Sequence, residues 1–306
     1  MITLHGRLLI AIALGMLSIF SSPSPSQEKR TPIIDTHTHC FAGKANKLFP
    51  YHLLAPYQPD EPATPELLLE RMKNAGVDYA LIVHPEPYQD DHRYLEHCLK
   101  VGKGKLKGTC LYFADKDDAI EQMRDLVQRN PKQIVALRIH AYAQKRLPPF
   151  GKPELRRLWQ AAGELGLAVQ LNCEPRFADG FEPLIREFPK TTVIIDHLGL
   201  PYSNKLELHD KFMRWSRYPN TVMKISSLPD RKKNPDLDVT PLLRAMVKEF
   251  TPRRLIYGGG FNDTPTADAY RAQREAIRVH FAHLSANDQA LIQGGNAARL
   301  FGFELP

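Results

Sequence analysis

Two kinds of segment alternate along the chain. Apolar runs rich in β-branched residues occur at "PIIDTHTHCF" (32–41), "YALIVHP" (79–85), "GTCLYF" (108–113), "IVALRIH" (134–140), "LAVQLN" (167–172), "TVIIDH" (192–197), "TVMKIS" (221–226) and "RLIYGG" (254–259). Between them lie amphipathic stretches such as "TPELLLERMKNAG", "DAIEQMRDLVQRN", "KPELRRLWQAAGELG" and "DVTPLLRAMVKEF". Their apolar residues recur at helical spacing, and several open on Thr, Asp or Lys-Pro and close on Gly or Asn, as helix caps require. Strand then helix, eight times over, predicts an α/β fold: a single (β/α)8 TIM barrel. The near-continuous apolar strands agree, because a parallel sheet is covered on both faces. A doubly wound open sheet is the alternative, and no GxGxxG turn supports a dinucleotide-binding version of it.

Composition narrows this only a little. With 306 residues, 43% hydrophobic and 25% charged, the chain reads as folded rather than disordered. Residues 1–26 differ from the rest. Arg7 is their only strong charge, Leu8 to Phe20 form an apolar run, and Ser21 to Ser26 mix small residues with Pro. That order predicts a signal peptide and an exported protein, periplasmic or secreted, with residues 27–306 forming the barrel. The run is short for a membrane span, so no stable span is expected after cleavage; an uncleaved N-terminal anchor is the alternative. A net charge of +7 is modest and spread among acidic neighbours, which predicts a solvated surface and no nucleic-acid partner. The run "DRKKNPD" reads as an exposed loop. Four cysteines without a CxxC pair predict buried thiols rather than a disulfide scaffold, with Cys40 and Cys173 close to candidate site residues.

The chemistry-bearing residues fall at the carboxyl ends of the strands, where a barrel gathers its active site. On the first strand the two-residue period places Asp35, His37 and His39 on one face, with Asp35 deeper and supporting. Later strand ends carry His84, then Arg138 with His140, then Asn172 with Glu174, then Asp196 with His197, then Lys224. Arg138 is shaped for a substrate carboxylate. Lys224 either steadies an anionic substrate or reaches out to the rim. Asp196, next to His197, should point the other way, as a helix-facing or supporting hydrogen-bond partner rather than a ligand. Tyr88, Asp91 and His92 follow the second strand, where barrels place substrate contacts.

Together the HxH pair, "HPEPYQDDHRYLEHC" (84–98), "FPKTTVIIDHLGLP" (188–201), "PNTVMKIS" (219–226) and "GGNAARLFGF" (294–303) resemble the amidohydrolase-related family of the amidohydrolase superfamily. Within it they look most like lactonase-type members, the sugar-lactone and 2-pyrone-4,6-dicarboxylate hydrolases. The similarity spans about residues 32–303. It implies a barrel that hydrolyses C–O or C–N bonds, or decarboxylates, at its mouth. The expected activity is opening of a lactone or related cyclic ester, and the expected partner a small molecule, anionic or sugar-derived. Two positions depart from the family: Asn172 stands for a fifth-strand histidine and Gly260 for an eighth-strand aspartate. Three readings follow. His37, His39 and His197 hold one zinc or other divalent metal. Alternatively no metal binds, the imidazoles and Arg138 polarise the carbonyl, and Asp263 is the base. In the third, the barrel binds a sugar acid or lactone without chemistry.

Overall fold

The computed structural model describes residues 30–201, 206–228, 238–261 and 266–303. The expected signal peptide, the run "DRKKNPD" and Asp263 lie outside them. The chain divides into Met1–Arg30 and Thr31–Pro306, and the second unit holds the barrel. No helix among the described residues is long and apolar enough to cross a membrane.

All eight expected strands form: β1 Ile34–Thr38, β2 Tyr79–Ile82, β3 Leu106–Leu111, β4 Ile134–Ala141, β5 Ala168–Cys173, β6 Val193–Ile195, β7 Thr221–Ile225 and β8 Leu255–Tyr257. They pair in parallel in sequence order. A bridge between Thr38 and Phe261 brings the eighth back to the first. The helices are α1 Pro65–Ala75, α2 Arg93–Gly102, α3 Ala119–Arg129, α4 Pro153–Glu164, α5 Glu182–Glu187, α6 Leu206–Arg214, α7 Thr240–Phe250, α8 Ala267–Arg278, α9 Ala286–Ala290 and α10 Asn296–Phe301. The caps read from sequence operate at α1. Thr64 accepts from the Leu67 amide at 3.2 Å, Pro65 opens the helix, and Gly76 closes it at φ +68°. The third strand starts and ends two residues earlier than its apolar run suggests, because Lys107 takes a place inside the barrel.

Seven strands each give one side chain to an inner apolar layer: Ile34, Leu81, Ala136, Ala168, Ile194, Val222 and Ile256. Lys107 is the contribution of β3. Its ammonium donates to the carbonyls of Phe301 and Gly302 at 2.8 and 2.9 Å, tying the chain end across the amino-terminal mouth. Ala297, Ala298, Phe301 and Phe303 close that mouth. The same tail motif explains its glycine: a Cβ on Gly294 would lie 1.7 Å from the Pro32 carbonyl oxygen, so only glycine fits. With the lower mouth plugged, chemistry is left to the carboxyl end.

Candidate active site

Two local irregularities set the site. The first is in β1, whose register against β2 shifts between Asp35 and Thr38. Such a bulge resets which face each side chain takes. The expectation that Asp35 shares the face of His37 and His39 is therefore corrected. Ile34 belongs to the inner layer, whereas Asp35 turns outward and accepts from the Tyr270 hydroxyl of α8 and the Gly259 amide, both at 2.6 Å. Full burial pushes its carboxyl up to about 6 against those hydrogen bonds. Past the bulge, His37 and His39 both enter the mouth.

The second irregularity follows β6. His197, Leu198, Gly199 and Leu200 all adopt positive φ, between 49° and 73°. A run of left-handed residues is uncommon and costs backbone energy, which marks a constrained site. It swings His197 over the mouth instead of letting it continue the strand. Asp196 meanwhile keeps the inward alternation of Ile194, so the expectation that it points away is also corrected.

The three imidazoles gather as expected. Ring centroids of His37 lie 4.9 Å from His39 and 4.4 Å from His197. His39 donates from Nδ1 to the Val83 carbonyl at 2.7 Å, which leaves its Nε2 unprotonated. His197 Nδ1 meets the hydroxyls of Ser226 and Ser227 at 3.0 and 2.8 Å. Burial holds His37 well below the usual histidine value, aided by His197 and Lys224. Burial and the Arg138 charge bring His39 down to about 3. Burial also brings His197 to about 4, although Asp196 pulls the other way. Burial thus favours the uncharged form of all three rings.

Beneath them is an ionic floor. Asp196 sits 3.0 Å from Lys224 Nζ and 3.2 Å from Arg138 Nη2, and accepts from Gln170 Nε2 at 2.9 Å. Lys224 is fully buried and does not reach the rim. Burial alone would raise the Asp196 carboxyl, but the two cations outweigh it and hold the group well below the carboxylate range. Beside the floor, His140 Nδ1 lies 2.8 Å from Glu86 Oε1, which Arg146 also approaches at 3.0 Å. The Tyr142 hydroxyl donates to the other Glu86 oxygen. Asn172 stands opposite His140 on β5.

Other expected contacts lie elsewhere. His84 is fully buried under the loop after β2, bonded to the Gln89 carbonyl at 2.9 Å and stacked on His92 at 4.3 Å. His92 accepts from the Leu111 amide at 3.0 Å. The Tyr88 hydroxyl accepts from the Ala42 amide at 2.7 Å, and Asp91 pairs with Arg93. These side chains hold the loop rather than face the imidazoles. Glu174 pairs with Arg176 at 2.7 Å. All four cysteines are buried and unbridged. Gln170, Ser226 and Glu86 were not singled out from sequence. Gln170 precedes Asn172 by two on β5, and Ser226 follows Lys224 by two, so the parity that found their neighbours also reaches them.

A metal can be tested against these donors. Among the described residues, the one group of three ligating side chains is His37, Asp196 and His197, with ligand atoms all within 4.8 Å of one another. His37 and His197 of the expected ligand set fall in this group together with Asp196, and His39 does not. Among the described residues His37 Nδ1 is buried without a hydrogen-bond partner, as a ligand atom would be, but Asp196 Oδ1 already faces Lys224 Nζ at 3.0 Å. Charge speaks against a dication, however. Lys224 and Arg138 already flank the Asp196 carboxylate, and a divalent ion bound to it would join two buried positive charges. With its one carboxylate already the counter-ion of two cations, this group fits a divalent ion poorly.

Comparison with known proteins agrees with the architecture. Among curated protein sequences no match was found. Among solved structures, a probable 2-pyrone-4,6-dicarboxylic acid hydrolase of Acinetobacter baumannii with citric acid bound is 20% identical, with a TM-score of 0.71 over 89% of this chain and 99% of that one. A putative 2-pyrone-4,6-dicarboxylic acid hydrolase of Pseudomonas putida is 22% identical, with a TM-score of 0.69 over 90% and 100%. An amidohydrolase of Burkholderia multivorans with bound zinc is 14% identical, with a TM-score of 0.69 over 89% and 100%. At these identities the likeness is one of fold. The amidohydrolase family profile matches residues 34–303, nearly the whole barrel, and the chain belongs to the amidohydrolase family.

Proposed function

We propose that the barrel hydrolyses a lactone or related cyclic ester that carries a carboxylate, without a metal. The observation that carries this reading is the floor of Arg138, Lys224 and Asp196 under three neutral imidazoles. Two cations share the Asp196 carboxylate, and among the described residues Arg138 Nε is buried without a partner, free to bind a carboxylate oxygen of a ligand. The citric acid in the Acinetobacter relative's crystal is of the same charge type.

The ester carbonyl would lie above the rings. A Ser227 hydroxyl donating to His197 Nδ1 leaves the His197 proton on Nε2, where it can donate to the carbonyl oxygen as charge builds there. Water attacks the carbonyl carbon and loses a proton to the base, and the ring C–O bond then breaks as that proton passes to the leaving alkoxide, giving a hydroxy acid. The imidazoles, depressed to about 3 and 4 at His39 and His197, are weak bases. On its sequence position Asp263 is the group to take the proton from water.

Steady-state kinetics on a panel of lactones tests this. A carboxylate-bearing lactone should exceed its neutral counterpart in kcat/KM by about 10-fold or more, the worth of one charge-assisted hydrogen bond, and Arg138→Gln should erase the preference. Chelator should leave turnover unchanged; loss of activity in chelator with recovery on zinc overturns the metal-free reading. Binding without turnover of any member leaves only a silent binding barrel.

The depressed imidazoles also fix the acid side of the pH profile. A neutral ring is the competent form, so turnover should hold as pH falls from 7 to about 5. A decline centred near 6.5, the value of a free histidine, would show that the rings are not held neutral by burial.

A further inference from the structure

A cavity of about 340 Å³ lies beside the mouth, on the scale of small-molecule sites. Much of its wall is apolar, from Phe113, Ile139, Leu147, Leu155 and Leu158. Ile139 faces away from the barrel axis and belongs with the two α4 leucines to the outer core, so this space is separate from the ionic floor. It nevertheless adjoins the floor. His140 lines the cavity while sharing the inner face of β4 with Arg138, and its Nε2 is buried with no hydrogen-bond partner. Of the charged groups that line it, Glu86 pairs with Arg146 at 3.0 Å and Lys116 with Asp90 at 2.5 Å, while Asp115 is exposed to water. At the rim stands Leu54, 75% exposed, next to Leu53 at 96%. Two adjacent leucines left in water at the lip of an apolar cavity gain from a chain laid over them.

We propose that this cavity receives an apolar chain borne by the substrate, making the substrate class an alkyl- or aryl-substituted cyclic ester acid. This deepens the hydrolase reading and rests on it. The ester end lies toward the imidazoles, His140 Nε2 meets a polar atom at the junction, and the chain runs along Ile139, Leu155 and Leu158 toward Leu54.

The test uses two series on the full chain. The first is α-carboxy-γ-lactones with no, propyl or hexyl side chains, read by kcat/KM. The second is the matching alkylcyclopentanecarboxylates, which cannot be hydrolysed, read by calorimetric Kd. Each added methylene should tighten Kd and raise kcat/KM about 4-fold until the cavity is full, which is about 0.8 kcal/mol per methylene. Ala114→Trp, which places a large side chain at a small wall position, should abolish that gain while leaving the unsubstituted member unchanged. Should that variant not fold, the chain-length series on the unaltered protein still decides. A Kd that does not depend on chain length overturns the proposal. Chain-dependent Kd with no hydrolysis of any lactone retires the hydrolase reading and leaves the cavity assignment standing.

Discussion

Asp196→Ala should cost the fold about 3–5 kcal/mol, because it strands Lys224 and Arg138 as buried charges with no counter-ion. The loss exceeds what one ion pair contributes, since the removed carboxylate also leaves Gln170 without its acceptor. Combining it with Lys224→Met should restore much of the stability, because the fully buried ammonium is then removed together with its counter-ion. Urea titration of the two single variants and the double measures this. If the double is no more stable than Asp196→Ala, the two groups are not energetically paired and the floor is misread. The pH dependence has a definite sign. Asp196 is held below the ordinary carboxylate value, so its stabilisation is in force at neutral pH and is lost as pH falls from about 4 toward its own lower value. Asp35, raised to about 6, acts the other way: the native state keeps a proton that the unfolded chain releases, so stability declines as pH rises from about 4 through 6. The double variant should lose the first dependence and keep the second.

These residues also show how far the sequence carries. The eight strands were legible because a parallel barrel buries both strand faces, which leaves short β-branched runs between amphipathic helices. His37, His39, Arg138 and Lys224 were legible as inward positions because alternation holds at those points. It failed where the backbone departs from a plain strand. The bulge in β1 separates Asp35 from the histidines two and four residues on, and simple counting cannot see an extra residue in a ladder. At β6 the strand ends at Ile195, and the left-handed turn lets adjacent residues Asp196 and His197 serve one site. Nothing in "IIDHLG" other than its single glycine hints at four such residues. His84 misled for a related reason: a strand-end histidine looks the same whether it lines the mouth or, as here, stacks on His92 beneath a loop.

Asp263→Asn should lower kcat of lactone hydrolysis by about 100-fold or more, the usual worth of a general base, with little change in KM. Gly260→Asp, introduced into that variant, should recover most of the loss. The second expectation rests on the space around Gly260. Its amide donates to the His37 carbonyl at 2.8 Å, which fixes it next to the first-strand histidines, and a Cβ there would meet no atom of the described residues within 4 Å. Its φ of +80° costs an L-residue about 1–2 kcal/mol, but aspartate is among the few side chains that visit this region, so the variant should fold. The resemblance to the family implies a carboxylate at this position of the eighth strand. Stopped assays on the four combinations of the two substitutions separate the cases. Rescue of Asp263→Asn by Gly260→Asp shows that only the base was displaced along the chain. Unchanged turnover in Asp263→Asn removes that residue from the mechanism, and failure of Gly260→Asp to restore a lost rate shows that the water no longer sits where an eighth-strand carboxylate can reach it.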